Sequence, residues 1–150
     1  MKIAKAMKLD VVTVPPDLTV AAAHRIMLEG GLRHLPVVSG TKLAGIVSDR
    51  DLLLVIGKDR DGAFLYPSTT VGEIMSLSPV SAGPGVPTPE LAQVMLDRKV
   101  DALPIVAADG TLLGLVTSTD LMRIVSQLPR GAPPALDYQV RRAFDPDARA

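Results

Sequence analysis

Two short segments combine residue types suited to phosphate and sugar chemistry: Gly45-Ile46-Val47-Ser48-Asp49-Arg50-Asp51 and Gly114-Leu115-Val116-Thr117-Ser118-Thr119-Asp120. Each reads as a strand running into a helix, with a hydroxyl at the junction and a carboxylate three residues on. First-turn amides and a hydroxyl can take a phosphate, and a carboxylate can take the hydroxyls of a ribose. The same spacing also describes a capping box, in which Ser48 or Thr117 satisfies an orphan helix amide and the acid reaches back to the cap amide. That reading needs no ligand. Its weak point is the acid, because a capping box prefers Glu or Gln, and Asp51 and Asp120 have shorter arms.

Other chemistries find little support. The chain has no Cys, which removes disulfides, thiolate nucleophiles and thiolate metal ligands. Its two histidines, His24 and His34, make a poor zinc set, and His24 lies in an Ala-rich helical stretch. No Gly-rich phosphate loop with Lys appears, and spacing singles out no Ser-His-Asp arrangement. The 16 Lys and Arg residues balance 16 Asp and Glu, and Phe64, Tyr66, Tyr138 and Phe144 are the only aromatics, so a nucleic-acid surface is not expected. No uncharged run approaches the ~20 apolar residues that cross a bilayer. The N-terminus mixes Lys2, Lys5 and Lys8 with apolar residues, unlike a signal peptide, so a cytoplasmic protein is expected.

The elements that position these segments come from an internal repeat. Laying Met7 to Ile56 over Met75 to Val125 pairs Met27-Leu28 with Met95-Leu96, Leu35-Pro36 with Leu103-Pro104, Gly45 with Gly114, and Asp51-Leu52 with Asp120-Leu121. Each unit reads as β-α-β-β-α, preceded by a short helical lead-in ending at Met7 or Met75. The first strands are Val11 to Val14 and Val80 to Ala82. The first helix of unit one runs from about Thr19 to Glu29 and stops at Gly30-Gly31. In unit two, Thr88 is the expected N-cap with Pro89 at the first helical position. Strands follow over Leu35 to Val38 and Leu43 to Ser48, then over Leu103 to Val106 and Leu112 to Thr117. Met7, Met27, Met75 and Met95 take equivalent core positions.

The resulting division is residues 1–57 and 71–126 for the two units, 58–70 for a polar linker with two aromatics, and 127–150 for a Pro-containing tail. Within the tail, Leu136, Val140 and Phe144 recur at helical spacing. A unit of about fifty residues cannot hide its apolar surface alone, so the two are expected to pack with pseudo-twofold symmetry and leave paired clefts at their junction.

On these features the chain resembles the tandem CBS-domain pair, or Bateman module. The likeness rests on the repeat, on Leu35-Pro36-Val37-Val38 and Leu103-Pro104-Ile105-Val106, and on the two Gly-apolar-apolar-Ser/Thr-x-x-Asp segments, and it covers roughly residues 1 to 126. It also looks like the small stand-alone members, including the acetoin-utilisation type. The resemblance implies an α/β module that binds an adenosyl molecule (AMP, ADP, ATP, S-adenosylmethionine or NAD) between the units and acts as a sensor, with no required cofactor and no catalysis. It assigns Ser48 and Asp51 to one site and Thr117 and Asp120 to the other, with Pro36 and Pro104 in the accompanying motifs.

Arg33 and His34 stand where related modules place phosphate-contacting bases, and Asp101 and Ala102 stand at the equivalent positions of unit two, so the first site is expected to be the better nucleotide site. Arg50 faces phosphate or caps its own helix, and Thr13 and Ser81 line the pockets or are simply strand residues. Pairing into a homodimer is implied through the helices after Ser48 and Thr117, where Leu52 to Ile56 are more apolar than one buried face requires. The output would go to an unidentified protein target or through self-association. The rival readings are an interaction module whose hydroxyl-acid pairs are only helix caps, and a nucleotide hydrolase.

Overall fold

The computed structural model describes residues 11–77 and 79–131. The lead-in ending at Met7 and the tail helix expected over Leu136 to Phe144 lie outside the described residues.

Helix α1 (Val20–Gly30) begins where Thr19 accepts the Ala22 amide at 3.2 Å. It ends at Gly31, whose φ of 61° sends its own amide back to the Met27 carbonyl. Val20, Ala23 and Met27 share its buried face with His24. Strands β1 (His34–Ser39) and β2 (Lys42–Ser48) form an antiparallel hairpin in which Leu35 faces Val47 and His34 faces Ser48. Helix α2 (Asp49–Leu53) follows directly. The second unit repeats this plan with α4 (Thr88–Arg98), β6 (Ala102–Val106), β7 (Leu112–Thr117) and α5 (Ser118–Ser126).

Several sequence expectations change. The first strands shrink to single parallel bridges, Val14 with Val37 and Ala82 with Ile105. Pro15-Pro16 and Gly83-Pro84 follow at once and cannot continue a ladder. In α4 the cap is Pro87, already extended at φ −63° and ψ 148°, so Thr88 is the first helical residue and is buried. The 58–70 linker carries a folded hairpin, β3 (Gly57–Lys58) with β4 (Phe64–Leu65). The Asp59 carboxylate shapes its turn by accepting the Asp61 and Ala63 amides, both at 2.9 Å. The hairpin lies on α1, with Tyr66 Oη 2.7 Å from His24 Nδ1 and Phe64 edge-on to the His24 ring at 4.9 Å. His24 is therefore a core histidine with a polar partner.

The largest departure concerns residues 70–77. By sequence Thr70 ends the linker and residues 71–77 open the second unit, yet they pack with the first. Helix α3 (Val71–Ile74) places Val71 in the first core and Ile74 against it, together with Met75. Strand β5 (Ser76–Leu77) then pairs antiparallel with β2, Ser76 opposite Ile46 and Leu77 opposite Gly45. The second core is separate and gathers Leu91, Met95, Leu103, Ile105 and Val116.

The two hairpins also meet at their turns. Leu43 donates to the Gly110 carbonyl at 3.1 Å and Leu112 to the Thr41 carbonyl at 3.0 Å. Lys42 Nζ reaches the Asp109 carbonyl at 2.8 Å and its carboxylate at 3.1 Å. The Thr111 amide and hydroxyl, with Lys42, hold the Asp109 carboxyl down at about 2. A lowered carboxyl pKa favours the folded state above its ordinary value of 3.8, and that contribution fades as pH falls towards 2. The expected result is an Asp109 carboxyl that titrates well below its ordinary value of 3.8 by carbon-detected NMR, and whose pKa rises in Lys42→Ala.

Candidate functional site

The turns fix one end of each hairpin. The other ends, at His34/Ser48 and Ala102/Thr117, open on two clefts between the units. The first, about 260 Å³, is walled by Ser48, Arg50, Asp51 and Ser76 from one side and by Lys99 and Asp101 from the other. The second, about 220 Å³, is walled by Val11, Thr117, Ser118, Thr119 and Arg123. Arg33, His34 and Asp101 line both.

Both capping boxes are fully formed, which corrects the expectation that Asp reaches back poorly. Ser48 Oγ accepts the Asp51 amide at 3.1 Å while Asp51 Oδ2 accepts the Ser48 amide at 2.8 Å. Thr117 and Asp120 make the same pair of bonds at 3.2 and 2.8 Å. The extended backbone of Ser48 and Thr117 points each cap amide at the helix, so the shorter acid spans the gap.

The two acids differ in what they have left. Asp120 is 5% exposed, is absent from the cleft wall, and spends both oxygens: Oδ2 also accepts from the Thr117 hydroxyl at 2.8 Å, and Oδ1 accepts from Arg123 at 3.2 Å. The Thr117 hydroxyl is thus occupied as donor and acceptor. Asp51 lies on the wall of its cleft, and among the described residues its Oδ1 accepts no hydrogen bond and the Ser48 hydroxyl donates none.

The asymmetry expected between the sites does not find its basis in Arg33, His34 and Asp101. Arg33 and His34 do not enrich the first cleft alone, and Asp101 does not burden the second alone, because all three stand on the wall between them. Arg33 is exposed, with Asp49 Oδ2 3.9 Å from its Nε. Burial lowers the His34 pKa, opposed by the nearby charges of Asp101 and Asp49, so the ring favours its neutral form near pH 7.

Arg50 is on the first cleft, as one of its two readings required. Thr13 and Ser81 are exposed and stand on neither wall. Pro36 and Pro104 are fully buried inside β1 and β6, opposite Ile46 and Leu115, and their carbonyls accept the Val14 and Ala82 amides. They set strand position and stand on neither cleft wall. Lys99 was not expected on the first cleft. Its signal is conformational: it occupies the left-handed helix stop, φ 53°, that Gly31 fills in unit one, an unfavourable place for a residue with a side chain.

The fold and clefts together define a paired-repeat α/β module with ligand-sized spaces at its junction. The family model for the CBS domain matches twice, over residues 3–58 and 71–127, and the chain belongs to the CBS-domain family. It is 34% identical over 116 residues to the CBS domain-containing protein YhcV of Bacillus subtilis, covering 77% of this chain and 79% of that one. It is 38% identical over 112 residues to inosine-5'-monophosphate dehydrogenase of Korarchaeum cryptofilum, covering 75% of this chain but 22% of the enzyme. The chain thus spans under a quarter of that enzyme. Among solved structures, CBSX2 in complex with AMP matches with a TM-score of 0.68 and 27% identity over 81% of this chain and 91% of the other. Among the described residues no helix is long and apolar enough to cross a membrane.

Proposed function

We propose that this chain is a regulatory module that senses an adenosyl nucleotide, with the cleft at Ser48 and Asp51 as the principal site. The observation that carries the reading is that, among the described residues, Asp51 Oδ1 accepts no hydrogen bond and the Ser48 hydroxyl, though it accepts the Asp51 amide, donates none, both residues standing on a cleft wall in a chain of the CBS-domain family. Asp51 would accept from the ribose hydroxyls, while Arg33, Arg50 and Lys99 would answer the phosphate charge. AMP, ADP, ATP, S-adenosylmethionine and NAD share the adenosine that this site would grip. The solved relative holding AMP supports the ligand class.

The module acts by binding and not by catalysis, in the cytoplasm, and passes its signal to a protein target or through a homodimer. Dimer formation is supported by a groove of about 570 Å³ along α4 and α5, bordered by Ala92, Met95, Leu96 and Leu121, with Leu54 79% exposed nearby in sequence to α2. Ligand binding would change the relative packing of the units in proportion to its preference for one arrangement.

A second reading, an interaction module without a ligand, is favoured by the completeness of both capping boxes. Titration calorimetry separates the two. Asp51→Asn keeps an oxygen for the Ser48 amide but loses the charged acceptor, and is expected to weaken AMP binding by about 1.5 to 3 kcal/mol. Asp120→Asn disturbs a buried network and should lower the melting temperature with a smaller change in affinity. Equal affinity losses, or no heat with any of the five adenosyl ligands, would overturn the nucleotide reading.

A further inference from the structure

The clefts are not independent compartments. Arg33, His34 and Asp101 stand between them, and each cleft meets the same three side chains from its own side. Arg33 is the cation of this wall. Its side chain is 67% exposed and its nearest acid, Asp49, sits at 3.9 Å from Nε, so no tight ion pair commits the guanidinium to one side. Asp101 lines both clefts as well.

Resting on the nucleotide-binding reading, we propose that Arg33 couples the two clefts in opposition: a phosphate-bearing ligand in one takes the guanidinium and weakens the binding of a second phosphate-bearing ligand in the other. A planar guanidinium makes its strong bidentate clamp with one anion at a time. The second anion meets Asp101 without Arg33, left to Arg50 and Lys99 in the first cleft or to Arg123 in the second, with the charge of the first anion on the other side of the shared wall. Adenosine, which carries no phosphate, does not compete for Arg33 and escapes the effect. The pair would therefore fill stepwise with phosphorylated ligands, extending its response over a wider range of ligand concentration than two equal sites could. Coupling of this kind is reciprocal, so each cleft penalises the other by the same factor.

The test uses Trp substitutions to fill one cleft at a time at exposed positions that line only that cleft: Ser76→Trp for the Ser48 side and Thr119→Trp for the Thr117 side. Each variant is expected to bind one AMP by calorimetry. Adding Arg33→Gln should weaken that binding in both backgrounds, on the order of tenfold or more for a lost charged hydrogen bond. In the unblocked protein, the second AMP should bind on the order of tenfold more weakly than it does to the same cleft when the other is filled by Trp, and adenosine should show no such gap. An Arg33→Gln effect in only one background, or a second AMP bound as tightly as in the single-cleft variant, overturns the coupling while leaving nucleotide sensing intact. Absence of AMP and adenosine heat in every protein overturns both.

Discussion

Gly45→Val is expected to lift β5 from β2 and destabilise the first unit by about 1–3 kcal/mol, the usual range for overpacking a tight contact. A Cβ at Gly45 would lie 2.7 Å from the Ser76 carbonyl and 2.6 Å from Met75 Sδ. The sulfur ends a flexible side chain and can move. The carbonyl belongs to the strand that closes the first sheet and cannot move without opening the ladder. Because Ser76 also lines the Ser48 cleft, the same substitution should loosen that cleft wall and weaken AMP binding. Urea unfolding and amide exchange at Ser76 and Leu77 read the two effects, with Gly83→Ala as the control, since nothing lies within 4 Å of a Cβ there. An unchanged midpoint and unchanged exchange in Gly45→Val would show that β5 is not seated on β2 in solution.

Leu103→Ala should cost about 2–5 kcal/mol, the range for emptying a fully buried leucine site. Leu103 is 0% exposed, lies opposite Val116 in the β6–β7 hairpin, and belongs to the second core. A domain of this size is stable by about 5–15 kcal/mol in total, so the second unit would be left near its limit. The equivalent Leu35 is also 0% exposed and sits in the first core, so Leu35→Ala should lose stability on the same scale. Since the cores are separate and are joined at the hairpin turns, Leu103→Ala should accelerate amide exchange in β6 and β7 more than in β1. A loss under about 1 kcal/mol, or exchange accelerated equally everywhere, would contradict a distinct second core.

The amino-acid sequence by itself determined the repeat, the hairpins and the two strand-to-helix junctions. These are local: β-branched runs broken by Gly40 and Gly110 make hairpins, and Ser48 and Thr117 start helices, whichever way the units later pack. It also determined which residues are equivalent between units, such as Leu35 with Leu103. Equivalence does not say which copy a residue packs on. Met75 matches Met7 in position, yet Met75 and Val71 bury against the first core, because β5 finds its hydrogen-bonding edge on β2 of the preceding unit.

The same limit hid the shared wall. Arg33 and Asp101 precede equivalent strands, and each looked like the property of its own site until the facing of the two units put both residues between the clefts. Asp51 and Asp120 are likewise indistinguishable by spacing. The folded helices separated them: the Thr117 hydroxyl and Arg123, which stands where unit one has Leu54, donate to Asp120, while one oxygen of Asp51 accepts no hydrogen bond among the described residues. A carboxylate is read by its donors, and donors that lie across a fold or one helical turn away on a chosen rotamer are not written in residue spacing.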